Sequence, residues 1–199
     1  EMCIRDRLKE RLADIYETAP EQIFLGNGSD EAIDLLIRAF CTPGKDQIIT
    51  LPPTYGMYGV CAAVNDVEVE QIPLTPEFQL DVEKILDAAT LEMKLIFICS
   101  PNNPTGNVFE RREVEQLLES FNGLVVVDQA YIDFCPEHSW VPELEKYRNL
   151  VVLQTLSKAW GLANIRLGMA IGAPEIITIL DRIKYPYNVN GISQQIALD

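Results

Sequence analysis

Short apolar runs rich in β-branched residues alternate along this chain with segments whose apolar residues recur at helical spacing. The short runs lie at 23–25, 48–51, 67–72, 95–99, 124–128, 150–155 and 167–171. The helical segments lie at 33–40, 82–89, 114–121 and 176–183. This alternation is typical of βαβ units built around a parallel sheet. The sequence therefore predicts an α/β fold of three layers, α/β/α, with a mostly parallel seven-stranded sheet in the middle.

Composition narrows the class of protein further. The 199 residues are 48% hydrophobic and carry a formal net charge of −14, which fits one large globular domain and opposes binding to nucleic acid. The longest apolar runs are far shorter than the roughly 20 residues needed to span a bilayer. Five cysteines stand far apart with no Cys-x-x-Cys pair, so we expect neither a metal site nor a disulfide framework, and a cytoplasmic location.

The two ends of the chain differ from its middle. Residues 1–7 lack the capping and apolar pattern expected at the start of the helix that follows them. The chain stops at Asp199, inside a helix that we predict to begin near Ser193. We therefore expect an atypical N-terminal end at 1–7 and one main domain at 8–199 that is cut short at its C-terminus.

The first predicted strand is followed by a glycine-rich turn, Gly-Asn-Gly-Ser-Asp-Glu at 26–31, that leads into a helix. Free N–H groups and the positive end of a helix dipole at such a turn favour a phosphate. Ser29 or Asp30 could equally cap the helix, which would make the turn purely structural. The Gly-Lys-Ser/Thr ending of a P-loop is missing and Glu31 interrupts the dinucleotide fingerprint, so ATP and NAD are disfavoured.

Polar side chains also follow three other predicted strands, where ligands of open α/β sheets collect. Tyr55 could stack on a planar ligand or simply pack. Asn103 lies in Ser-Pro-Asn-Asn-Pro-Thr-Gly at 100–106, whose prolines and glycine fix a turn that aims an amide outward. Asp128, with Tyr131 three residues later, ends a strand that is apolar at every earlier position. A buried carboxylate there needs a cationic or N–H partner, which could also be a structural ion pair.

The sixth predicted strand leads directly into Lys158. Partial burial at the sheet edge would lower the pKa of this lysine and make it a nucleophile toward carbonyl compounds. Thr155, Ser157 and Arg166 could hold a phosphate nearby. A solvated surface lysine is the alternative.

Taken together, these motifs, in this order and spacing, resemble the fold-type I aminotransferases that depend on pyridoxal 5'-phosphate (PLP). The resemblance runs from about residue 8 to the C-terminus. Within that superfamily the motifs Gly-Ser-Asp-Glu at 28–31, Pro-Pro-Thr-Tyr-Gly-Met-Tyr at 52–58, Asp-Gln-Ala-Tyr-Ile-Asp-Phe at 128–134 and Thr-Leu-Ser-Lys-Ala at 155–159 resemble the histidinol-phosphate aminotransferase family most.

The resemblance implies a role for each matching residue. Lys158 would hold PLP covalently and carry the substrate proton, Asp128 would pair with the pyridinium nitrogen, and Tyr55 would stack on the ring. Asn103 and Tyr131 would hydrogen-bond the phenolate oxygen. The cofactor phosphate would be held by the backbone of Ser29 and Asp30 and by the side chains of Thr155, Ser157 and Arg166.

Two departures from the family pattern concern the ends and position 129. The family's Asn-, Pro- and Tyr-rich N-terminal arm and its C-terminal small domain are not in this sequence, and Gln129 stands where Glu is common. The resemblance implies a cytoplasmic homodimer that interconverts histidinol phosphate and its ketone with glutamate and 2-oxoglutarate. The alternatives are an aromatic amino-acid aminotransferase, a threonine-phosphate decarboxylase-like enzyme and a non-catalytic PLP-binding fragment. A further alternative, which only the fold class supports, is a nucleotide-binding Rossmann protein.

Overall fold

The computed structural model describes residues 4–199, and its centre is a single seven-stranded sheet. The strands are β1 (Ile23–Asn27), β2 (Gln47–Thr50), β3 (Glu68–Gln71), β4 (Met93–Cys99), β5 (Leu124–Asp128), β6 (Leu150–Thr155) and β7 (Leu167–Gly172). Each predicted strand is present, and its ends differ from the predicted ones by two residues at most.

The order across the sheet is β1-β7-β6-β5-β4-β2-β3. Strands β2 to β6 pair in parallel, whereas β7 is antiparallel to both β1 and β6. The mostly parallel sheet is therefore confirmed. The carboxyl ends of β1, β2, β4, β5 and β6 lie along one edge, where β7 begins.

Helices cover both faces of the sheet. They are α1 (Ile4–Tyr16), α2 (Ser29–Phe40), α3 (Met57–Val64), α4 (Val82–Ala88), α5 (Arg111–Ser120), α6 (Pro174–Ile183) and α7 (Gly191–Leu198). Because side chains alternate along a strand, Val125 and Val127 of β5 belong to one apolar core, which includes residues of α1, α4 and α5, whereas Val126 belongs to another, which includes residues of α2, α3 and α6. These two apolar cores confirm the three-layer prediction.

Helix α3 was not predicted, because the segment 57–64 has apolar residues around most of its circumference and contains Gly59. Its buried residues are Tyr58, Cys61 and Ala62. Packing against the sheet, rather than an amphipathic pattern, therefore stabilises this helix.

Residues 4–7, which lack the capping and apolar pattern of a helix start, form the first turn of α1. Arg5 and Lys9 both pair with Asp181 of α6, and the Lys9 Nζ to Asp181 Oδ2 distance is 3.0 Å. These ion pairs anchor a turn that has no clear sequence signal. Residues 1–3 lie outside the described part of the chain.

The described cysteines, at positions 41, 61, 99 and 135, are free thiols. Within residues 4–199 no helix is long and apolar enough to cross a membrane. Over the same range, no group of His, Cys, Asp and Glu side chains is arranged to hold a metal ion.

Candidate active site

One cleft lies at the edge of the sheet where the parallel strands end. All ten residues singled out from the sequence line it: Ser29, Asp30, Tyr55, Asn103, Asp128, Tyr131, Thr155, Ser157, Lys158 and Arg166. Gly28, from the glycine-rich turn found in the sequence, lines it as well, and so do Cys99 and Ala130, which were not predicted as site residues. Residues spread over more than 130 positions of the chain therefore meet because their strands end at one edge.

The turn between β1 and α2 presents backbone N–H groups to this cleft. Gly28 precedes α2 as its N-cap, with φ 75°, a conformation that favours glycine, and no side chain caps the helix. The expectation that Ser29 or Asp30 is the cap is therefore wrong, because both already belong to the first turn. Their N–H groups have no carbonyl partner within the helix, which makes this turn a place for an anion.

A second glycine lets this turn lie against the sheet. Gly168 of β7 pairs with both Gly26 of β1 and Thr155 of β6. A Cβ atom at Gly168 would lie 2.1 Å from the backbone nitrogen of Ser29. The backbone of β7 can therefore approach the start of α2 only because position 168 has no side chain.

Hydroxyl and guanidinium groups face the same turn. The Thr155 hydroxyl lies 3.0 Å from the Ser157 hydroxyl, and the Arg166 guanidinium lies 3.5 Å from the latter. The Gly28 N–H donates to the Arg166 carbonyl over 2.8 Å, which ties the two segments together. We call the backbone N–H groups of Ser29 and Asp30, together with the side chains of Thr155, Ser157 and Arg166, the anion cradle, since its donors and its positive charge suit a phosphate.

Asp128 lies at the end of β5 and is only 2% exposed. Its Oδ2 atom accepts a hydrogen bond of 2.8 Å from the Tyr58 hydroxyl, and its Oδ1 atom accepts one of 3.1 Å from the Ala130 N–H. Burial raises the pKa of Asp128 to about 6 and the nearby Asp30 charge adds to the rise, whereas both hydrogen bonds and the Lys158 charge oppose it. The cationic or N–H partner expected for this carboxylate is thus an N–H group together with a phenol.

Tyr55 forms part of the wall beside the anion cradle. Its hydroxyl donates to Asp30 over 3.1 Å, and its ring meets the ring of Tyr58 edge-on at 5.6 Å between centroids. Burial raises the pKa of Tyr55, and the neighbouring Asp30 carboxylate adds to the rise. The phenol therefore stays protonated and holds its place in the wall.

The 100–106 turn is held by Asn102, which precedes the predicted site residue. The buried Asn102 amide donates to the Pro53 carbonyl over 2.9 Å and to the Thr105 hydroxyl over 2.6 Å. These bonds join the turn after β4 to the segment that carries Tyr55. Asn103 is then left half-buried in the wall of the cleft.

Lys158 is exposed, so of the two alternatives left open by the sequence the structure has the solvated lysine and not the partly buried one. It lies in the turn beyond β6 and lines the cleft. Its Nζ atom is 5.4 Å from the centre of the Tyr131 ring, within the range of a cation–π contact. An accessible amine next to a phenol can transfer protons at the mouth of the cleft.

Gln129, which stands where the family commonly has Glu, is 1% exposed, and both polar atoms of its amide are hydrogen-bonded. Its Nε2 atom donates to the His138 carbonyl over 3.1 Å, and its Oε1 atom accepts from the Trp140 N–H over 3.0 Å. An amide satisfies both partners, whereas an ionised Glu could only accept. The change leaves the contacts of Asp128 intact.

The fold and the cleft define an α/β enzyme scaffold whose site combines an anion cradle, a buried carboxylate and an accessible amine. Residues 2–199 match the family model described as aminotransferase class I and II. The chain belongs to this family.

Two curated relatives show the similarity in detail. The chain is 55% identical to a histidinol-phosphate aminotransferase of Cytophaga hutchinsonii over 192 residues, and 57% identical to one of Bacteroides thetaiotaomicron over 191 residues. Each comparison covers 96% of this chain and 55% of the relative. The chain thus spans little more than half the length of the curated relatives it matches.

A solved structure gives the same picture of the fold. Histidinol-phosphate aminotransferase from Sinorhizobium meliloti, in complex with pyridoxal-5'-phosphate, superposes with a TM-score of 0.89 at 24% identity. The superposition covers 98% of this chain and 54% of that one. At this identity the match establishes the shared fold.

Proposed function

We propose that the cleft binds PLP and that the whole protein is a histidinol-phosphate aminotransferase. The observation that carries this proposal is the meeting of the anion cradle, the buried Asp128 carboxylate and the accessible Lys158 amine around one cleft. The names of the relatives that are 55% and 57% identical support the choice of substrate. Family membership supports the class of reaction.

The residues of the cleft fit PLP part by part. The anion cradle offers backbone N–H groups, two hydroxyls and a guanidinium, which suit a phosphate dianion. Asp128 supplies a buried acceptor for a protonated ring nitrogen. Tyr55 offers an aromatic face for the ring, and Asn103 and Tyr131 offer donors for the phenolate oxygen.

When bound, PLP supplies the electron sink that lets an amino acid lose its α-proton. Lys158 would attach the cofactor through Nζ and, once freed by the substrate, use the same atom to take the α-proton and return it to another carbon. The Tyr131 ring would steer the Lys158 ammonium between these positions. Asp128 would keep a proton on the ring nitrogen, while the cradle prevents the phosphate from moving.

The relatives' names support histidinol phosphate as a substrate, and we propose its ketone as the product, with glutamate and 2-oxoglutarate as the second pair. An aromatic amino-acid aminotransferase or a threonine-phosphate decarboxylase-like activity would use the same cofactor residues.

We also propose that residues 8–199 correspond to the PLP-binding large domain and that the protein acts as a cytoplasmic homodimer. A chain that binds PLP without turnover is the remaining alternative.

PLP binding is tested by titrating the purified chain and recording its absorption before and after borohydride reduction. We expect a band of bound cofactor and, after reduction, a mass increase located at Lys158. The Lys158→Ala variant should lose the covalent adduct, and Lys84→Ala, at an exposed position of α4, should keep it. A well-folded chain without band or adduct, repeated with protein of the relatives' full length, would contradict the proposal.

The substrate is tested by steady-state kinetics with protein of the relatives' full length. We expect kcat/KM for histidinol phosphate to exceed that for phenylalanine. A larger value for phenylalanine would reject the proposed substrate and leave the cofactor assignment standing. Release of CO2 from threonine phosphate would instead identify a decarboxylase.

A further inference from the structure

Tyr58 lies beneath the cleft, on α3, and does not line it. We propose that Tyr58 is a positioning residue, which holds the Asp128 carboxylate charged and in a fixed orientation toward the bound cofactor. The inference deepens the proposed function, because the reason for fixing Asp128 rests on PLP binding. The contact between Tyr58 and Asp128 does not depend on that proposal.

Two donors from different parts of the fold fix the plane of the carboxylate. Tyr58 from α3 donates to Oδ2 over 2.8 Å, and the Ala130 N–H, beyond the end of β5, donates to Oδ1 over 3.1 Å. Neither oxygen can turn away without leaving a buried donor unsatisfied, which is costly. The Ala130 donor belongs to the same turn as Asp128, so Tyr58 alone ties the carboxylate to another layer of the fold.

The ring of Tyr58 is held as firmly as its hydroxyl. Tyr58 is fully buried, and its ring is stacked on Phe97 of β4 at 4.7 Å between centroids, with planes 14° apart. Its edge also contacts the Tyr55 ring at 5.6 Å. One side chain therefore connects the sheet, the carboxylate and the aromatic wall of the cleft.

The charges around Asp128 explain why a donor is needed there. The titratable and charged groups that face it from the surrounding elements are Tyr58, Tyr55, Asp30, Cys99 and Lys158. Burial and the Asp30 charge favour the neutral acid and raise the pKa of Asp128, whereas the hydrogen bond from Tyr58 is the first of the effects that lower it. Burial raises the pKa of Cys99 to about 12, so its thiol stays neutral.

The Tyr58 hydroxyl is a dependable donor. Burial, followed by the Asp128 charge, raises its pKa well above the ordinary value of a tyrosine. The phenol therefore keeps its proton at every pH at which Asp128 titrates. A neutral donor also brings no charge of its own, so the negative charge of Asp128 is left available to a cationic ring nitrogen.

The experiment compares Tyr58→Phe, which keeps the ring on Phe97, with Tyr147→Phe. Tyr147 is also buried, and its hydroxyl lies 3.4 Å from Glu119, away from the cleft. The first readout is the carboxyl 13C titration of Asp128 without cofactor, assigned by Asp128→Asn. We expect Tyr58→Phe to raise the pKa of Asp128 and Tyr147→Phe to leave it unchanged.

The second readout is the affinity for PLP. We expect Tyr58→Phe to weaken binding about tenfold, the effect of losing one hydrogen bond to a charged group. In an Asp128→Asn background the same change should have less than about a twofold effect, because Tyr58 acts through the charge. A loss of equal size in both backgrounds would mean that Tyr58 acts only through packing and would overturn the inference.

The two proposals fail in different ways. An unchanged Asp128 titration in Tyr58→Phe overturns the role of Tyr58, whether or not PLP binds. If the unsubstituted chain binds no PLP, the proposed function fails, and the carboxyl titration alone then decides whether Tyr58 controls Asp128.

Discussion

In the anion cradle, half of the Arg166 side chain is exposed, and backbone N–H groups supply several of the donors. The Asp128 carboxylate, by contrast, is 2% exposed and accepts hydrogen bonds from one phenol and one backbone N–H. The path of the backbone sets the shape of the cradle. The groups that bury the Asp128 carboxylate set its pKa and its orientation. The two parts of the cleft should therefore respond differently to substitution, pH and salt.

The difference follows from the elements that build each part. The cradle uses the start of α2 and the close approach of β7, so glycines decide its shape. Asp128 ends a central strand between two layers of helices, where desolvation decides its proton affinity. Backbone geometry does not titrate, and a buried charge is screened by salt much less than an exposed one.

The largest effect is expected for Gly168→Ala, which breaks the cradle. The new Cβ would lie 2.1 Å from the Ser29 nitrogen and 2.4 Å from the Gly28 carbonyl carbon, so β7 and α2 must separate. We expect PLP affinity to fall more than about a hundredfold and the chain to lose about 3 kcal/mol of stability. Equilibrium unfolding and cofactor titration measure the two effects.

The matched control for this change is Gly59→Ala. Gly59 lies within α3, and a Cβ there would meet no atom within 4 Å. Because alanine is a better helix former, we expect unchanged PLP affinity and a gain of about 0.5–1 kcal/mol. Equal losses in the two variants would show that position 168 is not special.

The second effect is the dependence of the free energy of unfolding on pH that Asp128 produces in the cofactor-free chain. Its pKa is raised from 3.8 to about 6 in the folded state, so its stabilising contribution is present below pH 3.8 and is lost as pH rises through about 6. A rise of two units corresponds to about 3 kcal/mol. The Asp128→Asn variant lacks this dependence.

Urea unfolding of both proteins at pH 4.5 and pH 7.5 measures that contribution, since the other titrating groups cancel in the difference. We expect Asp128→Asn to gain about 2 kcal/mol relative to the unsubstituted chain between the two pH values. At the same time its PLP affinity should fall. A constant difference in stability would show that burial does not raise the pKa of Asp128.

The fold could be predicted from the sequence because a short run that is apolar at every position, such as 124–127, is typical of a strand covered by helices on both faces. The cleft could be predicted because polar residues after such strands meet at one edge. Tyr58 could not, since a tyrosine inside an apolar segment carries no sign of the carboxylate that its hydroxyl reaches 70 residues away. Whether Lys158 is exposed or partly buried stayed open, because a sequence does not show what covers a turn.

We expect a smaller loss of PLP affinity for Arg166→Gln. Its dependence on salt distinguishes the anion cradle from the buried carboxylate. Arg166 has φ 52° and donates toward Ser157 from a half-exposed position. Glutamine keeps a donor without the charge and meets the same backbone strain. We expect PLP affinity to fall about tenfold at low ionic strength and clearly less at 0.5 M salt, because the guanidinium charge is screened.

The salt series should be run beside Asp128→Asn, whose loss of affinity we expect to stay constant because its charge is buried. Parallel losses in the two variants across the series would remove the distinction between a screened cradle and a buried carboxylate. Exposed Arg148, which pairs with Glu175 on the surface, gives the baseline, and Arg148→Gln should leave PLP affinity unchanged at every salt concentration.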